Sequence, residues 1–173
     1  SAADRIVAEV KNRTQAAGKI ILFGHSAGGQ FVHRWALLGG KKNVDVIAVA
    51  NSGWFTMPDR DIDYPYGIKN VGITDEELGE AFAEPVILFM GEKDVERKPP
   101  FRDTPEADAQ GMNRMERCTN YFRQCKAKAE ELRVPFRWKL ETVEGAAHQG
   151  VKMAEGAAAY IFGKSSENGN RRV

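Results

Sequence analysis

The chain has 173 residues, 42% of them hydrophobic and 28% charged, with a formal net charge of +1. That length suits one domain with a real core, and the near-neutral balance gives no electrostatic case for nucleic acid or an acidic membrane surface. No apolar run approaches the ~20 residues of a membrane span, and the opening Ser1-Ala2-Ala3-Asp4 has neither Met nor a leader's basic and apolar regions, so it reads as an internal cut or a processed product.

Taken in order, residues 3–15 predict an amphipathic helix with Ile6, Val7 and Val10 on one side, closed by Ala16-Ala17-Gly18. Lys19 to Phe23 is an apolar strand, the kind buried on both faces of a parallel sheet. A helix follows Ser26 at once, with Ala27, Phe31, Trp35 and Leu38 at helical spacing, and stops at Gly39-Gly40. Val44 to Ala50 is a second buried strand. It ends in Asn51-Ser52-Gly53 and the aromatics Trp54 and Phe55, followed by an aperiodic but ordered excursion over 59–70.

Thr74-Asp75-Glu76-Glu77 is a capping box that opens a short helix to about Phe82. Pro85 to Met90 is a third apolar strand, closed by Gly91-Glu92-Lys93-Asp94. Residues 96–110 are polar and Pro-rich and predict a loop. Met112 to Arg133 is the longest helix, with Met112, Met115, Cys118, Phe122, Cys125, Ala129 and Leu132 on its apolar face. Phe136 to Val143 alternates as a half-buried strand, Gly145 to His148 turn, and Gln149 to Phe162 form a last helix. The domain is expected to span 1–163 and a solvated tail 164–173. Strands alternating with helices predict an α/β fold: a parallel sheet of about four strands flanked by helices.

The two cysteines, Cys118 and Cys125, lie two turns apart on one helix, about 10.5 Å along its axis. That exceeds the ~7 Å Cα limit of a disulfide, so two buried thiols are expected. No cluster of Cys and His suggests a metal.

The stretch that carries chemistry is Gly24-His25-Ser26-Ala27-Gly28. Gly-x-Ser-x-Gly between a strand and a helix is the pattern of a nucleophile elbow. A serine there is expected at φ > 0, a strain of roughly 1–3 kcal/mol. Gly24 and Gly28 are expected to remove Cβ atoms that would collide as the chain folds back. A P-loop reading fails because no Gly-Lys-Ser/Thr follows.

A serine hydroxyl needs a base, and the base needs a carboxylate to orient it. Of the three histidines, His148 lies at the carboxyl end of a strand, where ligands gather in open α/β sheets, and is the candidate base. His33 is carried two turns away from that end. His25, beside the serine, reads as a packed structural histidine, with substrate contact as its alternative. Asp94, in the turn after the third strand, is the candidate acid. Glu92 points elsewhere if the turn is tight, and Asp59, Asp61 and Asp63 belong to a different loop.

The order Ser26, Asp94, His148 resembles the triad of the α/β-hydrolase superfamily, in its carboxyl-terminal part. The stretches Gly-His-Ser-Ala-Gly-Gly-Gln-Phe-Val-His-Arg, Ala-Asn-Ser-Gly-Trp-Phe-Thr-Met-Pro-Asp and Tyr-Pro-Tyr-Gly are similar to esterase and polyester-depolymerase members. The resemblance implies Ser26 as nucleophile, His148 as base, Asp94 as acid and the Ala27 N–H as an oxyanion donor. It implies ester cleavage without metal or organic cofactor, on a small-molecule or polymeric ester. Trp54 and Phe55 either line a substrate pocket or cap the core. The family's eight strands and second oxyanion donor imply a truncated fold with a missing amino-terminal half. Peptidase or acyltransferase activity, or a non-catalytic binding module, are the alternatives that the triad pattern leaves open.

Overall fold

The computed structural model describes residues 2–14, 18–39 and 43–167. Ten elements alternate: α1 Ala2–Thr14, β1 Ile21–His25, α2 Ala27–Leu37, β2 Val46–Ala50, α3 Asp75–Ala83, β3 Val86–Gly91, α4 Pro105–Asp108, α5 Arg114–Leu132, β4 Lys139–Val143 and α6 Gly150–Glu167. The four strands form one parallel sheet in the order β1-β2-β3-β4, with His25 opposite Ala50, Ala50 opposite Phe89 and Gly91 opposite Val143. This is the four-stranded α/β architecture expected from the alternation of apolar runs and helical stripes.

Because successive strand side chains face opposite ways, each central strand feeds two cores. Ile47 and Val49 of β2, with Val86 and Leu88 of β3, meet the main cluster, to which α2, α3 and α5 contribute Val32, Leu78 and Tyr121. Ala48, Ala50, Ile87 and Phe89 face the other way, onto Met153 and Ala157 of α6. Small residues let α6 come close: a Cβ on Gly156 would sit within 2.9 Å of Val143 Cγ2. The start of α6 lies against the carboxyl end of β1, where a Cβ on Gly150 would stand 3.4 Å from His25 Nδ1.

The helix ends have local causes. Thr74 caps α3: its Oγ1 accepts from Glu77 N at 3.2 Å, while Glu77 Oε2 accepts from Thr74 N at 2.8 Å. Asn113 caps α5, and Arg133 ends it at φ 56°.

Several expectations shift. Phe31 is 54% exposed, and the inward stripe of α2 is Gly29, Val32, His33, Trp35, Ala36 and Leu37. The one-residue hinge between β1 and α2 sets that rotation. Ile6, Val10 and Met112 are exposed too, and only Val7 of α1's apolar side packs on the core. The Pro-rich loop contains the short α4, β4 starts only at Lys139, and α6 continues through Glu167, past its expected end at Phe162. Both cysteines are free and buried. Residues 15–17 and 40, and the tail from 168 on, lie outside the described residues.

Candidate active site

A single residue, Ser26, joins β1 to α2. It stands at φ 55°, ψ −116°, a conformation that costs a non-glycine residue about 1–3 kcal/mol. Its N–H donates to Ala50 O at 2.9 Å and its carbonyl accepts from Gln30 N at 3.0 Å, so sheet and helix together hold the turn. Gly24 is needed as expected, since a Cβ there would collide with the Gly28 backbone and lie 2.7 Å from Val32 Cγ2. Gly28 itself is a correction: a Cβ on it meets nothing within 4 Å. Gly29 is the second tight position, where a Cβ would come within 2.7 Å of Ser52 Oγ and 2.9 Å of Ala50 O. Ala27 opens α2, so its N–H is among the first four of the helix, which have no acceptor inside it.

The structure brings Ser26, His148 and Asp94 into one chain of hydrogen bonds. Ser26 Oγ lies 2.9 Å from His148 Nε2, and His148 Nδ1 lies 2.7 Å from Asp94 Oδ2. A carboxylate only accepts, which assigns the proton to Nδ1 and leaves Nε2 to accept from the serine hydroxyl. Each residue comes from a different strand end: Ser26 after β1, Asp94 after β3, His148 after β4. Asp94 N donates to Gly91 O at 3.0 Å, closing the turn that buries the carboxylate. Gly91 also makes room for the following loop, since a Cβ there would stand 2.7 Å from Ala146 O. Glu92 points away and accepts from Gly145 N at 2.7 Å.

The remaining candidates fall on both sides of this chain. The His25 ring packs against that of His148, centroid to centroid 4.7 Å. Burial, reinforced by neighbouring His148, lowers the pKa of His25. Of the two readings open for Phe55, the structure holds the core one: it is fully buried, stacked on Tyr121 at 4.5 Å. Trp54 is buried against Tyr66, with Arg34 over its ring at 4.9 Å. His33 is a core residue; its Nδ1 donates to Gly29 O at 3.1 Å and its Nε2 accepts from Thr56 N at 3.0 Å. A cavity of about 680 Å³ lies between the 57–62 segment and α5, and none of Ser26, Asp94 and His148 lines it. Among the described residues no group of three His, Cys, Asp or Glu is placed to hold a metal.

Two residues of the site went unassigned in the sequence. Asn51, buried at φ 45°, donates from Nδ2 to Ala147 O at 3.0 Å and accepts at Oδ1 from Gly91 N at 2.8 Å. It ties the loop bearing Asp94 to the loop bearing His148. Its legible signal was an Asn directly after an apolar strand, since Asn tolerates φ > 0 better than most residues. Arg114 pairs with Asp94, Nη1 to Oδ1 at 3.1 Å.

No protein-family model and no curated protein matches this chain. Among solved structures it is similar to poly(aspartic acid) hydrolase-1 from Sphingomonas sp. KT-1, at 32% identity and a TM-score of 0.84 over 91% of the chain. It is equally similar in sequence, 32%, to LpqC, a poly(3-hydroxybutyrate) depolymerase from Bordetella parapertussis, with a TM-score of 0.81 over 92% of the chain. Its fold is of the α/β-hydrolase type. The chain spans 60% and 56% of those two proteins' lengths, so what it holds is part of an α/β-hydrolase fold.

Proposed function

We propose that this α/β-hydrolase chain is a serine hydrolase that cleaves carboxylic esters through an acyl-enzyme. One observation carries the reading: the unbroken bonding from Ser26 Oγ through His148 to Asp94, at 2.9 and 2.7 Å, on a strained strand-to-helix hinge. Both distances fall within the roughly 2.6–3.2 Å that proton transfer needs.

Ser26 Oγ attacks the ester carbonyl while His148 Nε2 takes its proton. The Ala27 N–H stabilises the tetrahedral oxyanion, an interaction typically worth about 10²–10³ in rate per donor. Collapse breaks the ester C–O bond, and His148 returns its proton to the leaving alcohol. Water, deprotonated by His148, then releases the acid and restores Ser26. Asp94 holds the imidazole with Nδ1 protonated and stabilises the imidazolium. Side chains carry every proton, so the reaction calls for no metal or organic cofactor.

A polymeric ester is supported by the similarity to the poly(3-hydroxybutyrate) depolymerase. Amide cleavage is the second reading, because the same identity links the chain to a poly(aspartic acid) hydrolase. The test is a panel of p-nitrophenyl esters, 3-hydroxybutyrate oligomers and aspartate oligomers, with fluorophosphonate labelling alongside. Esters should turn over and the label should attach, both lost in Ser26→Ala. Labelling that survives in Ser26→Ala refutes the nucleophile, and a chain inert to the panel and the label is a binding module instead.

A further inference from the structure

The acid of the hydrogen-bonded chain is held from two sides. Asp94 gives Oδ2 to His148 Nδ1 at 2.7 Å and Oδ1 to Arg114 Nη1 at 3.1 Å, and the two side chains of that ion pair are 4% and 5% exposed. A carboxylate turns easily about its last bond, because that torsion has broad minima. The guanidinium removes this freedom, and it is itself fixed. Arg114 Nη2 donates to Pro100 O at 2.8 Å, its Cζ lies 5.0 Å from the Phe101 ring, and its backbone is the first residue of α5 after the Asn113 cap.

We propose that Arg114 is a positioning residue for Asp94, setting both the carboxylate's orientation and how much of its charge reaches His148. The inference rests on the serine-hydrolase reading for its catalytic consequence. Removing one partner from a buried ion pair leaves an uncompensated charge, and Arg114 is the cation that balances the buried Asp94 carboxylate.

The other charged and titratable neighbours do not duplicate it. His25 packs its ring on that of His148 at 4.7 Å, and burial disfavours its charged form. Arg97 and Arg117 share the Phe101 ring with Arg114 but bond to Asp108, at 2.9 and 2.8 Å. A cation on Oδ1 draws the carboxylate's charge away from the imidazole.

The experiment compares wild type, Arg114→Met and Arg114→Lys by steady-state ester kinetics across pH, and by the downfield N–H proton signal of the His148–Asp94 hydrogen bond. In Arg114→Met, kcat should fall about 10–100-fold at nearly constant KM, as expected when a reacting group is misplaced. The acid limb of kcat/KM should move up by about one pH unit, since a positive charge has left the pair. The proton signal should titrate higher by the same amount. Arg114→Lys should hold the acid limb in place and recover only part of kcat, because an ammonium lacks the fork that reaches Asp94 and Pro100 together.

An unmoved acid limb and an unmoved proton titration in Arg114→Met overturn the inference. If Arg114→Met does not fold, Arg114→Lys decides: wild-type kcat refutes two-point positioning and a partial loss supports it. A wild-type protein without turnover or phosphonate labelling refutes the hydrolase reading, while the proton titration still judges the hold on Asp94.

Discussion

Replacing Asn51 separates backbone strain from hydrogen bonding at the centre of the site. Asn51→Ala removes the bonds to Gly91 N and Ala147 O, at 2.8 and 3.0 Å, and leaves both backbone groups without that partner. Each such loss costs about 1–3 kcal/mol. Alanine must also adopt the φ of 45° seen at this position, which adds about 1 kcal/mol for a residue with a Cβ. The sum is about 3–7 kcal/mol, against a total of about 5–15 kcal/mol for a domain. Asn51→Gly loses the same bonds but not the conformational preference, so it should be about 1 kcal/mol more stable than Asn51→Ala. Urea unfolding of the three proteins, compared by midpoint at equal m-value, reads the difference. A glycine variant less stable than the alanine variant refutes the strain argument. An alanine variant within about 0.5 kcal/mol of wild type, the usual range of neutral surface changes, refutes the clamp.

Two further outcomes follow from the same turns. Gly28→Ala should be neutral or stabilising by up to about 1 kcal/mol, because its Cβ meets nothing and alanine favours a helix. Gly29→Ala should cost about 1–3 kcal/mol as the Cβ pushes α2 off Ser52 and Ala50; thermal melts that rank the pair the other way contradict the packing. At His33, burial pushes the pKa down to about 3 from 6.5. As pH falls from 6.5 towards 3, the unfolded chain takes up a proton that the folded one refuses. Stability should therefore decline by about 1.4 kcal/mol per pH unit well inside that window. His33→Gln should remove this decline between pH 7.5 and 4.5 in urea titrations, and an unchanged slope in the variant rules the assignment out.

The sheet was legible because its strands are short apolar runs bounded by glycine and polar turns, and Gly24–Gly28 marks a sharp hinge wherever it occurs between strand and helix. Asp94 and His148 were found through their places at strand ends. The rest depended on rotation and depth, which periodicity does not carry. Phe31 looks inward by spacing yet is exposed, because its neighbour Val32 takes the inner position, and Met112 is exposed ahead of α5, which starts only at Arg114. Arg114, Arg117 and Tyr121 were hidden for the opposite reason. They share α5's inward stripe with Cys118 and Cys125, but an arginine on a helix is normally read as solvated. The arginines tolerate that depth because Asp94, Asp108 and the carbonyls of Pro100, Gly111 and Gly53 meet them there, and those partners lie on other segments of the chain.

The sheet's strictly sequential strand order also has a kinetic consequence. Ser26 and His148 are 122 positions apart, and the strands between them pair only in parallel, across helical crossovers. Every closure is long, so the loop entropy is lost before the contacts that repay it form, which slows folding of such topologies. The three polar residues cannot meet in a half-built sheet. Recovery of a phosphonate-reactive serine after dilution from urea would therefore time the last strand's arrival, a chemical clock for completion of the fold.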